Sequence, residues 1–229
     1  ESKYGKQPAP KPGVHNSGWV QDPSVSLRKD TVTLYPKMEK YLKDILTTFG
    51  KDKRVLLWDL WNEPGNSDHF AATLPLLKNV FKWAREVNPS QPISSGIWNQ
   101  DDKFCSLNAF QIENSDVITY HNYNDVADHQ TEIKYLKMLN RPLICTEYMA
   151  RKHNSLFKTI MPMLKSNKIV AINWGFVSGK TNTIFAWDEP MPNVKEPKLW
   201  FHDIFRQDGS PFDAAEISVI KANTLSENK

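Results

Sequence analysis

The sequence predicts an α/β protein in which helices cover a parallel β-sheet. Five short, mostly apolar runs alternate with helical patterns along the 229 residues. Each run is continuously apolar rather than alternating with polar residues, which is typical of a strand covered on both faces. Hydrophobic residues make up 40% of the chain, so it can bury a substantial core.

The first elements follow from local signals. Residues 1–27 predict a long loop, because Pro and Gly recur throughout them. Residues 31–49 place apolar side chains at helical spacing, and Gly50 is expected to end that helix. The apolar run Val55–Trp61 then predicts a strand, which stops at polar residues.

The later elements alternate in the same way. Helices are predicted where apolar residues recur every three or four positions, and strands where a short apolar run lies between turn-forming residues. The predicted helices span 68–87, 104–113, 129–139, 155–166 and 213–223. The predicted strands span 92–96, 116–120, 142–146 and 168–174.

Two architectures fit this order, a doubly wound sheet and a (β/α)8 barrel. No Gly-rich phosphate loop follows any predicted strand, which argues against a nucleotide-binding doubly wound protein. The net charge of +3 comes from scattered acids and bases, so no basic patch for nucleic acid is predicted. No apolar run is long enough to cross a membrane.

Cysteine and histidine usage predicts neither a metal centre nor a cofactor. Cys105 and Cys145 lack the spacing of a metal site, and the six His form no close-set ligand motif. A polar, Pro-rich stretch rather than a signal peptide opens the chain, which fits a cytosolic protein or the mature form of an exported one. Of these we expect a secreted or periplasmic protein.

Polar and aromatic residues collect where the predicted strands end. In both architectures these carboxyl ends share one edge, where function is located. In chain order the ends offer Asn62 and Glu63, Trp98 and Asn99, His121 and Tyr123, Glu147 and Tyr148, and Asn173 and Trp174. By strand alternation Asp59 also points inward, which is costly unless the carboxylate has a partner.

Two carboxylates that face each other across a cleft suit the cleavage of a glycosidic bond. One must hold a proton for the leaving oxygen, and the other must stay ionised to attack or to activate water. Their separation distinguishes retention from inversion, and the sequence does not give that distance.

The motifs WDLWNEPGN, ITYHNY, PLICTEY and AINWGF together resemble the retaining glycoside hydrolases built on (β/α)8 barrels, and most closely family 5, the cellulase and mannanase group. That family carries Asn-Glu after its fourth strand, His-x-Tyr after its sixth, Glu after its seventh and Trp after its eighth. All four occur here in order. The resemblance implies a retaining β-glycoside hydrolase of endo-β-1,4-glycanase type that needs no cofactor.

The resemblance also implies roles for the matching residues. Glu63 would be the acid/base, Glu147 the nucleophile, and Tyr123 a hydrogen-bond donor to Glu147. Asn62 would hold the sugar 2-hydroxyl, and His121 would hold the network of the site. The implied sugar platform is Trp174, and loop residues Trp98, Trp19 and Trp187 are further candidates. The substrate would be a β-linked glycan, without a choice among cellulose, mannan, xylan and mixed-linkage glucan.

The resemblance covers most of this chain but not the whole of the family's fold. Counted back from the fourth strand, residue 1 falls in the loop after the third, so the first three strands and the family's strand-two arginine are absent. We therefore expect residues 1–229 to form a partial catalytic barrel domain. Upstream chain could supply the rest, which we favour; two copies could complete each other, or the sheet could be an inactive remnant.

Other interpretations of these residues stay open. Glu63 could be a helix-entry acid, and Glu147 could pair with Arg151 four positions later. His121 and Trp174 could belong to the core, and the loop tryptophans could simply pack. The alternative function is a carbohydrate-binding protein without catalysis, or a degenerate barrel fragment.

Overall fold

The computed structural model describes residues 5–6, 8–18 and 23–224. Within these residues the chain forms two units, which are described separately. The N-terminal unit comprises Pro23–His121 and Leu139–Ile144. The C-terminal unit comprises Asn122–Met138 and Cys145–Lys229 together with Glu1–Asp22, as far as those ranges are described.

The N-terminal unit alternates helices and short strands. In chain order it contains α1 (Val25–Lys29), α2 (Thr31–Phe49), β1 (Trp58–Asp59), a 3₁₀ turn (Phe70–Thr73), α3 (Leu74–Val87), β2 (Ile93–Ser94), a 3₁₀ turn (Asp102–Phe104), α4 (Cys105–Asn114) and β3 (Ile118–His121). Buried side chains of α2, α3, β2, α4 and the 3₁₀ turn before α4 form its core, namely Leu46, Leu77, Phe81, Ala84, Ile93, Phe104 and Leu107.

The C-terminal unit continues the alternation. Its elements are α5 (Val126–Lys137), the end of β4 (Leu143–Glu147), a 3₁₀ turn (Arg151–His153), α6 (Phe157–Ser166), β5 (Val170–Ala171) and α7 (Ala214–Thr224). The N-terminal segment is bound to the long loop between β5 and α7. Asn16 N–H donates to the Thr181 carbonyl at 2.7 Å, and Met191 N–H donates to the Gly13 carbonyl at 2.9 Å.

Pairing between successive strands is parallel. β1 pairs with β2 in the register Trp58 to Ile93 and Asp59 to Ser94. A parallel bridge joins Ile97 to Tyr120. In the C-terminal unit Ile172 N–H donates to the Cys145 carbonyl at 2.8 Å, which pairs the β5 segment with β4. Parallel pairing puts the carboxyl ends of neighbouring strands at the same edge.

The predicted helix over 31–49 and its end at Gly50 are both confirmed. Gly50 has φ −66°, an ordinary right-handed value. A side chain there would collide with the Leu46 carbonyl and contact Pro89 at 3.1 Å. Glycine is therefore required by the close approach of the chain after α3, and not by a left-handed turn.

Several predicted boundaries differ from the structure. The helix predicted over 68–87 is α3, which begins at Leu74, and the strand predicted over 168–174 is only β5. The strand expected over 55–61 is only β1, and Leu56 is 72% exposed. The turn that follows α2 extends to Val55, whose N–H donates to the Asp52 carbonyl, so the strand begins late. The loop expected over 1–27 ends early, because the Ser24 side chain caps α1. No helix in the described part of the chain combines the length and apolarity of a membrane crossing.

A buried ion pair fixes α7 to the C-terminal unit. Arg151 Nη2 lies 2.6 Å from Glu216 Oε2, and the Arg151 side chain is 2% exposed. The guanidinium also donates to the carbonyls of Trp200 and Asp203. Arg151 thus uses its donors on α7 and the preceding loop, which contradicts the alternative in which it is the partner of Glu147.

We expect Glu216→Ala to lower the free energy of unfolding by about 3 kcal/mol, because it leaves a buried guanidinium without its carboxylate. Chemical denaturation measures this change. Glu113→Ala removes an exposed carboxylate from α4 and is the matched control. A loss below about 0.5 kcal/mol, the range of ordinary surface changes, would contradict the structural role of the pair.

Candidate active site

Glu63 lies in a tightly constrained turn after β1. Its φ is +49°, and that of Gly65 is +85°. A left-handed backbone costs a non-glycine residue about 1 kcal/mol, so the surrounding contacts must hold Glu63 there. A Cβ on Gly65 would lie 2.7 Å from Leu107 and 2.9 Å from Phe104. The turn is therefore pressed against α4 and its preceding 3₁₀ turn.

Both carboxylate oxygens of Glu63 have partners in the N-terminal unit. His121 Nδ1 lies 2.9 Å from Oε1, and the Asn66 side-chain amide donates to Oε2 at 2.5 Å. The Glu63 side chain is 18% exposed, whereas that of His121 is 3% exposed. Glu63 is thus open to solvent but held by two side chains, one from β3 and one from its own turn.

Strand alternation predicted that Asp59 points inward and needs a partner for its carboxylate. Trp61 N–H donates to its Oδ1 at 3.3 Å. Surrounding protein that limits solvation raises the pKa of Asp59 to about 6, while His121 and the Trp61 N–H oppose the shift. The residue is nevertheless exposed. Solvent thus reaches a carboxyl group whose surroundings are crowded by protein.

Glu147 occupies the tip of β4 and is only 9% exposed. The Tyr123 hydroxyl donates to Glu147 Oε2 at 2.6 Å. The Asn122 N–H donates to the Glu147 carbonyl at 3.0 Å, which fixes the strand end. A hydroxyl donor stabilises the ionised form of a buried carboxylate, so this pair favours a charged Glu147. The contact is the one that the sequence resemblance implied.

Trp187 is an exposed aromatic surface beside Tyr123. Its ring centroid lies 5.1 Å from that of Tyr123, and 43% of the residue is exposed. Phe201 contacts it edge-on at 4.5 Å, and His153 at 5.0 Å. These neighbours hold the indole in place while one part of it faces solvent. Such a surface suits the apolar face of a sugar ring.

The other predicted site residues have different surroundings. Trp98 donates its indole N–H to the Pro64 carbonyl at 3.0 Å and packs on Phe104, so it supports the Glu63 turn. Trp174 is partly exposed, and Asn62 is exposed. Trp19 lies outside the described residues.

Sequence reasoning missed three residues near these groups. Asn66 stands three positions after Glu63, and its only sequence signal was that of a turn former. His202 is fully buried 5.2 Å from the Tyr123 ring and donates from Nδ1 to the Met149 carbonyl. Burial lowers the pKa of His202 to about 3, so it is neutral. His15 packs against His202 and Trp187 from the N-terminal segment. Neither histidine has a local pattern.

The raised pKa of Asp59 makes a pH prediction. A carboxyl group whose pKa is higher in the folded protein stabilises it below about pH 4, and this contribution is lost as pH rises through about 6. Asp59→Asn removes this loss of stability. The free energy of unfolding of the variant relative to that of the parent protein should therefore be higher at pH 7 than at pH 4. Denaturation at both pH values measures it, with the exposed Glu113→Gln as control. An advantage independent of pH would contradict the prediction.

Solved structures with a similar fold are glycoside hydrolases. Xylanase XynB from Paenibacillus barcinonensis aligns with TM-score 0.52 and 15% identity over 76% of this chain and 63% of that chain. An endo-β-1,4-xylanase of family 10 from Gloeophyllum trabeum aligns with TM-score 0.55 and 16% identity, over 82% of this chain and 66% of that chain. A β-D-glucuronidase from Dictyoglomus thermophilum aligns with TM-score 0.53 and 13% identity, over 82% of this chain and 35% of that chain. This chain therefore spans less than two thirds of these proteins.

At such identities the comparisons establish the fold, and they show the parallel strands and helices to be part of a (β/α)8 barrel. A comparison with curated protein sequences gives no match. A family model for cellulase, glycosyl hydrolase family 5, matches residues 13–179. That match covers most of the chain, which therefore belongs to the cellulase family, glycosyl hydrolase family 5.

Proposed function

We propose that this protein is a retaining β-glycoside hydrolase in which Glu63 is the acid/base and Glu147 the nucleophile. The observation that carries the proposal is the 2.6 Å hydrogen bond from the Tyr123 hydroxyl to the buried Glu147 carboxylate. A nucleophile must be ionised and aimed before it attacks, and a fixed hydroxyl donor supplies both conditions. Family membership supports the assignment of the second carboxylate.

The reaction proceeds in two displacements. Glu147 attacks the anomeric carbon while Glu63 gives its proton to the glycosidic oxygen, so the carbon–oxygen bond breaks and a glycosyl ester forms. Glu63, now ionised, then takes a proton from water. The resulting hydroxide attacks the same carbon and releases Glu147, and the configuration is retained.

The remaining site residues hold the acid/base or bind the sugar. His121 holds the Glu63 carboxylate through Oε1. Asn62 donates to the 2-hydroxyl, Trp174 stacks at the cleavage position, and Trp187 stacks on a neighbouring sugar. We propose that the substrate is a β-linked glycan cut internally at β-1,4 bonds. Because such a polymer does not enter the cytoplasm, we also propose that the enzyme is secreted or periplasmic.

We also propose that further βα units complete the barrel. β1 lies at one edge of its two-stranded sheet, and β5 lies at one edge of its sheet. Apolar Val170 and Ile172 are about half exposed at this second edge. Upstream βα units of the same protein are the favoured partner, and a second copy is the alternative. The intact mass of the native protein separates the two.

Glu147→Ala and Glu63→Ala should each abolish most release of reducing sugar from the active member of a panel of cellulose, mannan, xylan and mixed-linkage glucan. On an aryl glycoside with a good leaving group, azide should partly restore the turnover of Glu63→Ala and give a glycosyl azide of retained configuration, because the intermediate accepts a small nucleophile without a general base. It should not do so for Glu147→Ala. Glu113→Ala is the control.

Near-normal turnover in either variant would refute the assignment. Binding of a glycan by the parent protein with no release of sugar would favour a carbohydrate-binding protein without catalysis. Truncating the side chain of Glu63 or Glu147 should leave the surrounding residues folded. The circular dichroism spectrum of each variant should therefore match that of the parent protein.

Trp187→Ala should raise KM roughly tenfold with little change in kcat, because a stacking surface binds ground state and transition state alike. Phe176→Ala, which removes another exposed aromatic ring from the same unit, is the control. A fall in kcat at unchanged KM would assign Trp187 to packing around Tyr123 instead of to sugar binding.

A further inference from the structure

Asn66 connects the backbone of the Glu63 turn to the Glu63 carboxylate. Its side-chain amide donates to Glu63 Oε2 at 2.5 Å, and its backbone N–H donates to the Glu63 carbonyl at 3.1 Å. One residue therefore contacts both ends of the candidate acid/base. His121 contacts the other oxygen of the carboxylate, Oε1.

The orientation of the Asn66 amide is fixed by a neighbouring donor. Its Oδ1 accepts the backbone N–H of Ser67. A backbone N–H can only donate, so the atom that faces it must be the amide oxygen. The NH₂ group consequently faces Glu63, and the contact is an N–H donor on a carboxylate oxygen.

The backbone around Asn66 is unusual enough to need a reason. Glu63, Ser67 and Asp68 all have positive φ values, of 49°, 58° and 61°. Left-handed conformations at non-glycine residues cost free energy and concentrate where function requires a geometry. Here the turn brings an exposed asparagine back onto the side chain of Glu63.

We propose that Asn66 is a positioning residue for Glu63, which aims the carboxyl group for proton transfer to the leaving oxygen. This inference rests on the proposed function of Glu63. The amide holds Oε2, which restricts rotation of the carboxyl group about its terminal bond and leaves Oε1 with His121. The Glu63 proton passes to the glycosidic oxygen as the carbon–oxygen bond breaks and the bond to Glu147 forms. The orientation of the Glu63 carboxyl group therefore affects only that proton transfer.

This role predicts a dependence on the leaving group. A poor leaving group needs the proton, and a dinitrophenolate leaves without it. Removing the amide should therefore slow the cleavage of phenyl β-cellobioside or phenyl β-xylobioside, and spare the dinitrophenyl glycoside of the same sugar. A general disturbance of the fold would slow both.

The test compares Asn66→Ala and Asn66→Asp with the parent protein. Asn66→Asp keeps the oxygen that accepts the Ser67 N–H, but it replaces the donor by an acceptor oxygen and adds a negative charge beside Glu63. We expect kcat/KM for the phenyl glycoside to fall about tenfold in both variants, with the dinitrophenyl glycoside within about twofold. Asn79→Ala, which removes a side-chain hydrogen bond to the Pro75 carbonyl on α3, is the matched control.

The outcomes separate the two proposals. Equal losses on both glycosides, or an unchanged ratio between them, overturn the positioning role while the glycosidase function stands. A parent protein that cleaves neither glycoside and no glycan in the panel overturns the function and this inference together. A loss confined to the phenyl glycoside, with Asn79→Ala unchanged, supports both.

Discussion

Parallel pairing of successive strands is the constraint on which the Glu63 side of the site depends. Because β1 and β2 run in the same direction, and Ile97 bridges Tyr120 in parallel, the ends of β1 and β3 reach one edge of the N-terminal unit. Glu63 and His121 are 58 residues apart in the chain and meet there. If only one of these two pairings were antiparallel, the ends of β1 and β3 would lie at opposite edges, and this contact would be lost.

Local patterns predicted the elements better than their ends. The helix over 31–49 has a long apolar period and was correct to the residue, because α2 buries that face against α3. The strand over 55–61 was too long, since an apolar run does not reveal which of its residues find a pairing partner. The contact of Tyr123 with Glu147 came from motif order rather than from spacing alone.

Other parts of the site could not have been predicted, because they depend on contacts between distant loops. His15 reaches the Phe185 carbonyl across 170 positions, and neither segment has a period. His202 is recognised only through its burial, since a histidine in an irregular stretch gives no signal. Asn66 looked like an ordinary turn residue, and only the left-handed backbone around it directs its amide to Glu63. The sequence contains these residues but not the loop geometry that gives them roles.

The binding of the N-terminal segment to the loop before α7 has a consequence for folding. His15 reaches the rings around Trp187 only when residues near 15 find residues near 185. Closing so long a span of chain costs conformational entropy that the closure of a local helix does not. We therefore expect helices such as α6 to form before the N-terminal segment binds this loop.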